Sequence, residues 1–163
     1  MAGMSASDQG VGGDATGECI PRHCVVTGAL GGIGAAVVTA AKEAGYRVTA
    51  VDQAPHGETA GADGDVAGVG NKTADLPVFY ALDVTDAEAA RTTIDRIEAD
   101  REPIDALIHT AGILRADAAL DGDTDAMRAS FEVNMFGAAH VCASVAQRMC
   151  ERKRGAIVVV SSN

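Results

Sequence analysis

The residues with the clearest potential for chemistry form a glycine-rich stretch between a β-prone run and an alanine-rich segment. The stretch Thr27-Gly-Ala-Leu-Gly-Gly-Ile-Gly34 directly follows the run His23-Cys-Val-Val. Glycine adopts backbone angles closed to other residues and has no side chain to keep a phosphate from the backbone. Amide groups at the start of a helix attract anions, because they lack partners within the helix. The stretch therefore predicts a pyrophosphate site. The residues expected to form it are Thr27, Gly28, Leu30, Gly31, Gly32, Ile33 and Gly34.

An acidic residue follows at the distance expected for a ribose contact. Asp52 ends the next β-branched run, 18 residues after Gly34, and an acid near this spacing accepts hydrogen bonds from an adenosine ribose. A 2′-phosphate beside its carboxylate would be repelled by about 1 to 4 kcal/mol at a separation of 4 Å. We therefore expect NAD(H) rather than NADP(H). The neighbouring residues, which are neutral and offset none of this repulsion, are Ala29, Leu30, Gln53 and Ala54.

Other phosphate and metal motifs fit less well. The stretch lacks the Gly-Lys-Ser/Thr of a P-loop, and Val37 replaces the third glycine of G-x-G-x-x-G. The run Asp121–Asp125 with Glu132 imitates a calcium loop, but Ala126 stands where that loop needs glycine, so we expect helix capping. The four cysteines lack C-x-x-C spacing, and no His accompanies them at the spacing of metal ligands, which predicts reduced thiols and no metal site. Structural or solvent-facing roles are expected for His23, His56 and His140.

The composition excludes several classes of protein. Of 163 residues, 47% are apolar and 22% are charged, which excludes a wholly disordered, collagen-like or coiled-coil chain. The net charge of −10 disfavours binding to nucleic acids and anionic lipids. The stretch from His23 to Ala41 carries no formal charge, but its glycines favour a strand, turn and helix over a membrane span. We therefore expect a small-molecule substrate, with no nucleic acid or membrane partner. The cytoplasmic location that we also expect follows from the reduced cysteines.

Strand and helix patterns alternate along the rest of the chain. The β-prone runs occupy residues 23–27, 47–52, 77–82, 104–109 and 156–160. The helical patterns occupy residues 33–44, 85–100 and, from a cap at 123 or 124, residues up to 154. This alternation predicts right-handed β-α-β units in a Rossmann-type α/β fold, a doubly wound parallel sheet of about five strands. Ligands of such sheets bind at the carboxyl ends of the strands.

Three details of these elements are specific enough to test. The sequence Thr85-Asp-Ala-Glu88 has the form of a capping box, which predicts that Thr85 caps the second helix. The unbroken apolar run at 156–160 predicts a strand that is covered on both faces. The apolar positions of the third helix are Met127, Phe131, Met135, Val141 and Val145.

Two stretches fall outside the alternation. Residues 1–21 contain five glycines and no apolar run, so we expect a disordered tail without a secretory signal. Residues 56–75 contain five glycines among polar residues, which predicts a flexible insertion. Residues 22–163 are then the N-terminal part of one dinucleotide-binding domain.

The order of the motifs resembles that of the short-chain dehydrogenase/reductase family. The string T-G-x-x-x-G-x-G at 27–34 is similar to the family's cofactor signature. Asp83-Val84 resembles its adenine-contacting pair, and Ala111-Gly112 resembles the end of its N-N-A-G motif. The resemblance covers residues 22–163 and implies NAD-dependent oxidation or reduction of a small molecule. It also implies a homo-oligomer, by family habit a homotetramer, for a full-length member.

The resemblance implies catalytic residues as well. Ser162 would hydrogen-bond the reacting hydroxyl, and Asn134 would order a proton-relay water. The family's general base lies in a Tyr-x-x-x-Lys motif about thirteen residues after that serine, and the chain ends at Asn163. Neither Tyr46 nor Tyr80 has a lysine four residues later. We therefore expect the 163-residue chain to be inactive by itself.

Within the family, three stretches of this sequence most resemble those of one group of members. That group oxidises a cyclohexadiene diol carboxylate to a catechol during siderophore synthesis. These stretches are 51–54, 111–115 and 155–163. Arg115 would pair with the substrate carboxylate, or it is an exposed loop arginine. His109-Thr110 replaces the asparagine at the start of N-N-A-G, where a histidine could still donate a hydrogen bond. Another short-chain reductase, such as a 3-oxoacyl carrier-protein reductase, and a non-catalytic NAD(H)-binding module are the alternatives.

Overall fold

A computed structural model describes residues 22–53, 78–114 and 124–161. The predicted tail at 1–21 and the predicted insertion at 56–75 lie outside the described residues. The strands are β1 (His23–Thr27), β2 (Arg47–Asp52), β3 (Val78–Ala81), β4 (Ile104–His109) and β5 (Ala156–Val159). The helices are α1 (Gly32–Glu43), α2 (Ala87–Asp100), α3 (Asp125–Phe131), a π-helical segment (Glu132–Gly137) and α4 (Ala138–Arg152).

The five strands form one parallel sheet in the order β3-β2-β1-β4-β5. The chain moves outward from β1 to β3, then crosses to the other side of β1 to add β4 and β5. A sheet of this kind has a crevice at its carboxyl edge where the direction changes, between β1 and β4. The predicted doubly wound α/β fold is therefore confirmed.

Two hydrophobic layers hold helices against the two faces of the sheet. Side chains of α1 pack on one face around Cys24 and Val26, whereas α2 and α4 pack on the other around Val25. Because side chains alternate along a strand, β1 contributes to both layers and is buried throughout. Unbroken burial on both faces is what the apolar sequence of β1 requires. In the described ranges, no helix is both long enough and apolar enough to cross a membrane.

Helix α2 begins differently from the sequence prediction. Its N-cap is Asp86, whose side chain accepts a hydrogen bond of 2.9 Å from the amide of Ala89. The predicted cap, Thr85, instead donates from its amide and hydroxyl to the Asp83 carboxylate, at 2.9 and 2.7 Å. The prediction of Thr85 as the cap is therefore wrong, because its hydroxyl is already used in the preceding turn.

The third helical region also differs from its prediction. It contains the π-helical segment and ends at Arg152, where a regular helix to Arg154 was expected. Val141 and Val145 are buried as predicted, but three other predicted core positions are exposed. A π-helical segment interrupts the 3.6-residue period, so positions before and after it no longer share one face. The exposed side chains are Met127, Phe131 and Met135.

Strand β5 is less covered than its apolar sequence predicts. Val158 and Val159 keep 51% and 47% of their surface exposed. Among the described elements, β5 pairs only with β4 and is an edge strand of the sheet. The expectation of cover on both faces is therefore wrong for the described residues.

A buried histidine joins β1 to β2 at the amino end of the sheet. Nδ1 of His23 donates to the Glu102 carbonyl at 2.8 Å, and Nε2 lies 2.8 Å from the Thr49 hydroxyl, from which it can accept a hydrogen bond. Burial lowers the pKa of His23, and Asp105 acts in the opposite direction. The neutral ring satisfies both contacts, which confirms the structural role expected for His23.

We expect the free energy of unfolding to decrease as the pH falls from about 7.5 to about 5.5. His23 is neutral when folded and regains an ordinary pKa near about 6.5 when unfolded. The contribution of His23 to the free energy of unfolding is therefore complete above the unfolded pKa, and it is lost as the pH falls towards the lowered folded pKa. Urea denaturation across this range would measure the dependence. In His23→Asn, which can donate to Glu102 but does not titrate, the dependence should be shallower, and equal slopes would contradict the assignment.

Candidate nucleotide-binding site

The glycine-rich turn connects the end of β1 to the start of α1 at the carboxyl edge of the sheet. Gly28 has a φ of +70°, a left-handed angle that disfavours other residues. The amide of Gly31 donates to the Gly28 carbonyl at 3.0 Å, and Gly31 is the N-cap of α1. Gly31 has no side chain, so no cap bond satisfies the first amides of the helix. These amides are donors for an anion, as the sequence predicted.

The four glycines of the turn serve two different purposes. A Cβ on Gly28 would lie 2.6 Å from the amide nitrogen of Ala111, and a Cβ on Gly34 would collide with the Gly28 carbonyl. These two glycines let backbone segments pack together. A Cβ on Gly32 would meet nothing within 4 Å, and one on Gly31 would lie 3.3 Å from the Gly28 carbonyl. The surface at Gly32 is thus open beside the uncapped amides, which fits a pyrophosphate.

Alanine substitutions should separate these two purposes. We expect Gly28→Ala to lower the free energy of unfolding by about 1 to 3 kcal/mol, because it combines a left-handed angle with a clash against Ala111. Gly32→Ala should change it by less than about 1 kcal/mol, because the added methyl group meets open space and alanine favours helices. Urea denaturation of both variants measures the difference. Equal destabilisation would contradict the distinction.

Asp52 lies at the end of β2 and faces the glycine-rich turn. Its Oδ2 accepts a hydrogen bond of 2.8 Å from the amide of Leu30, and its Oδ1 accepts one of 2.7 Å from the amide of Gln53. A carboxylate has about four acceptor positions, so each oxygen can still accept a hydroxyl. In the described part of the chain, no basic side chain forms an ion pair with Asp52. The carboxylate is therefore fixed in place, and no cation of the described residues offsets its charge.

Asp83 and Val84 follow β3, beside the end of β2. The amide of Leu82 donates to the Asp52 carbonyl at 2.8 Å, which places the two strand ends together. Hydrogen bonds from the amide and hydroxyl of Thr85 lower the pKa of Asp83. Val84 is buried, and its carbonyl accepts a hydrogen bond of 3.1 Å from Nδ1 of His140. Within the described ranges, the Val84 amide donates no hydrogen bond.

His109 and Thr110 join the end of β4 to the end of β1. Nδ1 of His109 lies 2.8 Å from the Thr27 hydroxyl, and both side chains are buried. The amide and hydroxyl of Thr110 donate to the Thr27 carbonyl at 3.0 and 2.7 Å. Burial lowers the pKa of His109, which favours the neutral ring. The histidine therefore provides a side-chain link between the fourth strand and its neighbour.

Asn134 lies in the π-helical segment and binds the loop that follows β4. Its Nδ2 donates to the Ile113 carbonyl, and its Oδ1 accepts from the Ile113 amide, both at 2.8 Å. A Cβ on Gly112 would lie 3.2 Å from the same Oδ1. The loop containing Ala111 and Gly112 is thus held against the helical region, and each end of the Asn134 amide makes one of the two hydrogen bonds open to it.

Some predicted site residues lie outside the described residues, and two contacts in the structure were not predicted from the sequence. Arg115 and Ser162, expected at the substrate, lie outside the described residues, as do Asp121 and Asp123. Sequence reasoning missed the contact of His140 with Val84, which joins residues 56 positions apart. It also missed Gly137, at which a Cβ would lie 2.6 Å from Cγ2 of Val84. A glycine inside a helical pattern is a signal of close packing that could have identified this position.

The described cysteines show no sign of metal chemistry. Cys24, Cys142 and Cys150 are free, and burial raises the pKa of the Cys24 thiol to about 11. Such a thiol stays protonated at neutral pH and is a poor ligand and nucleophile. Among the residues that the structure describes, no three His, Cys, Asp or Glu side chains are grouped to hold a metal ion.

The fold and this edge of the sheet together define a Rossmann-type α/β domain, the class whose strand ends bind dinucleotides. The chain belongs to the short-chain dehydrogenase family, because residues 22–163 match the family model described as short chain dehydrogenase. The family resemblance seen in the sequence is therefore confirmed.

Relatives in the family carry the names of different enzymes. D-threitol dehydrogenase of Mycolicibacterium smegmatis is 33% identical over 86% of this chain and 52% of its own. The 2,3-dihydro-2,3-dihydroxybenzoate dehydrogenase of Bacillus subtilis is 33% identical over 85% of this chain and 51% of its own length. Acetoacetyl-CoA reductase of Shinella zoogloeoides is 36% identical over 86% of this chain and 55% of its own length. The crystal structure of NAD+-bound xylitol dehydrogenase is 27% identical, with a TM-score of 0.70 over 86% of this chain and 53% of that one. The chain spans about half the length of the curated relatives it matches.

Proposed function

We propose that the chain forms the cofactor-binding part of an NAD(H)-dependent dehydrogenase that acts on a small molecule. The observation that carries this proposal is the link between Asp52 and Leu30 at the uncapped start of α1. It places a carboxylate that can accept ribose hydroxyls next to amides that can bind a pyrophosphate. The bound nicotinamide dinucleotide would supply the hydride acceptor or donor.

Each strand end in this proposal has its own task. The amides of the glycine-rich turn bind the pyrophosphate, and the carboxylate of Asp52 accepts hydrogen bonds from the hydroxyls of the adenosine ribose. The carboxylate of Asp83 and the amide of Val84 face the adenine, as an acceptor beside a donor. Ala111 and Gly112, whose loop is held by Asn134, lie on the nicotinamide side. Asn134 holds this loop through its two hydrogen bonds to Ile113, and its second N–H and second acceptor position can still order a proton-relay water.

NAD(H) is the preferred cofactor in this proposal because Asp52 is a fixed carboxylate that forms no ion pair within the described ranges. A 2′-phosphate would replace the ribose hydroxyl that donates a hydrogen bond to the carboxylate. It would also place its own negative charge beside that of Asp52. The two amides that hold Asp52 prevent the carboxylate from turning away without losing hydrogen bonds.

We expect the chain to bind NADH at least tenfold more tightly than NADPH, a difference of about 1.4 kcal/mol. Asp52→Asn should reduce this ratio severalfold, because the repulsion of the 2′-phosphate is removed. Isothermal titration calorimetry with both nucleotides measures the ratio. Asp100→Asn, the same change on the exposed surface of α2, is the matched control and should leave the ratio unchanged. Equal or tighter binding of NADPH by the unsubstituted chain would contradict the assignment.

For the substrate, we propose 2,3-dihydro-2,3-dihydroxybenzoate, which is oxidised to 2,3-dihydroxybenzoate in catechol siderophore synthesis. The support is the Bacillus subtilis relative of that name and the three similar stretches of sequence at 51–54, 111–115 and 155–163. Arg115 would pair with the carboxylate and Ser162 would hydrogen-bond the reacting hydroxyl. The ketone formed would tautomerise to the aromatic catechol, which drives the oxidation forward. A homotetramer and a cytoplasmic location stay predictions of the sequence.

Reduction of an acyl thioester is a second candidate, favoured by the 36% identity to acetoacetyl-CoA reductase. A protein completed with a family C-terminal part should oxidise the dihydrodiol with NAD and leave acetoacetyl-CoA unreduced, as followed by NADH absorbance. The opposite result would favour the thioester. The 163 residues contain no Tyr-x-x-x-Lys motif, so the chain by itself should bind NADH without oxidising the diol. Turnover by this chain would contradict the role assigned to that motif.

A further inference from the structure

A hydrogen bond from α4 holds the backbone that follows β3. Nδ1 of His140 lies 3.1 Å from the Val84 carbonyl. A carbonyl only accepts, so Nδ1 carries the proton and donates. The two residues are 56 positions apart, so the contact joins separate elements and is no part of a helix or turn.

Val84 is held from a second side by close packing. Its side chain is buried, and a Cβ on Gly137 would lie 2.6 Å from Cγ2 and 3.1 Å from Cβ of Val84. Gly137 ends the π-helical segment and directly precedes α4. The helical region therefore contacts Val84 through a hydrogen bond at its carbonyl and through close approach at its side chain.

The amide of Val84 has no partner of its own among the described residues, although the residue is buried. An amide without a protein partner can donate to a ligand, and a ligand that covers it without accepting this hydrogen bond incurs a desolvation cost. The adjacent Asp83 carboxylate is an acceptor, so donor and acceptor lie side by side where β3 ends. Adenine presents the complementary pair, a ring nitrogen that accepts beside an amino group that donates. The neighbouring strand end carries Asp52, the residue assigned to the ribose.

We propose that His140 is a positioning residue for adenine recognition, which orients the peptide of Val84 so that its amide and the Asp83 carboxylate meet the base. This inference rests on the proposed function, because it assigns a task within the same nucleotide site. His140 touches no ligand itself and acts only through the Val84 carbonyl. Gly137 has a supporting task, since it lets the helix approach closely enough for the hydrogen bond to form.

Three substitutions of His140 distinguish this task from general support of the fold. In His140→Asn, the amide nitrogen takes the place of Nδ1 and can still donate to Val84. In His140→Gln, the amide nitrogen reaches the place of Nε2 instead, and in His140→Ala there is no donor. The wild type and the His140→Asn variant should therefore bind an adenine-containing ligand more tightly than the His140→Gln and His140→Ala variants.

The experiment titrates each variant with ADP-ribose, AMP and inorganic pyrophosphate by calorimetry. We expect His140→Ala and His140→Gln to weaken the binding of ADP-ribose and AMP about fivefold, as the loss of one hydrogen bond implies. The affinity for pyrophosphate should stay unchanged. His140→Asn should bind all three like the wild type. The amide resonance of Val84 should shift on addition of AMP in the wild type and Asn variant, and less in the other two.

Each other result overturns a definite statement. Equal affinities across the four chains, or equal weakening of AMP and pyrophosphate, would overturn the positioning role while leaving the proposed function intact. Binding of neither NADH nor ADP-ribose by the wild type would overturn the proposed function, and the inference with it. If His140→Ala fails to fold, the comparison of His140→Asn with His140→Gln decides, because both keep a polar side chain.

Discussion

The close contact between the ends of β1 and β4 is the constraint on which the candidate site depends. The Thr27 carbonyl accepts from both the amide and the hydroxyl of Thr110, while the Thr27 hydroxyl meets the ring of His109. This approach brings Gly28 against the backbone of Ala111, where no Cβ could fit. The chain must therefore leave β1 through a left-handed glycine, and it is this exit that aims α1 with its amides towards the crevice.

Backbone groups, more than side chains, provide the donors at this edge. The amides at the start of α1 and of Val84 have no partner in the part of the chain that the structure describes, and Asp52 and Asp83 add acceptors whose positions are fixed by neighbouring backbone amides. A site made from backbone keeps its geometry when many side chains change. About one-third identity to relatives named for threitol, a dihydrodiol and an acyl thioester is a degree of change that such a site tolerates.

At the opposite, amino edge of the sheet, charged side chains pair with one another and with backbone amides, although Nε of Arg152 is buried without a hydrogen-bond partner among the described residues. Glu98 accepts from the Ile104 amide at 3.0 Å and pairs with Arg152 at 2.9 Å. Asp105 accepts from the His23 amide at 3.0 Å and pairs with Arg154 at 2.8 Å. Unpaired buried polar groups are costly, so these contacts stabilise the amino edge. At the carboxyl edge, backbone donors stay unpaired within the described ranges, and these are the groups that a ligand can use.

The sequence by itself determined the parallel α/β sheet, the glycine-rich turn and the place of Asp52, because periodicity, glycine spacing and strand ends are local properties of the chain. It did not determine that Asp86 rather than Thr85 caps α2, or that Met127 and Phe131 are exposed beside a π-helical segment. Only the tertiary structure decided which partner each polar group takes, as with the ring of His140 and the Val84 carbonyl. Such partners lie far apart in the sequence, and they meet only when the packed sheet and helices bring them within hydrogen-bonding distance.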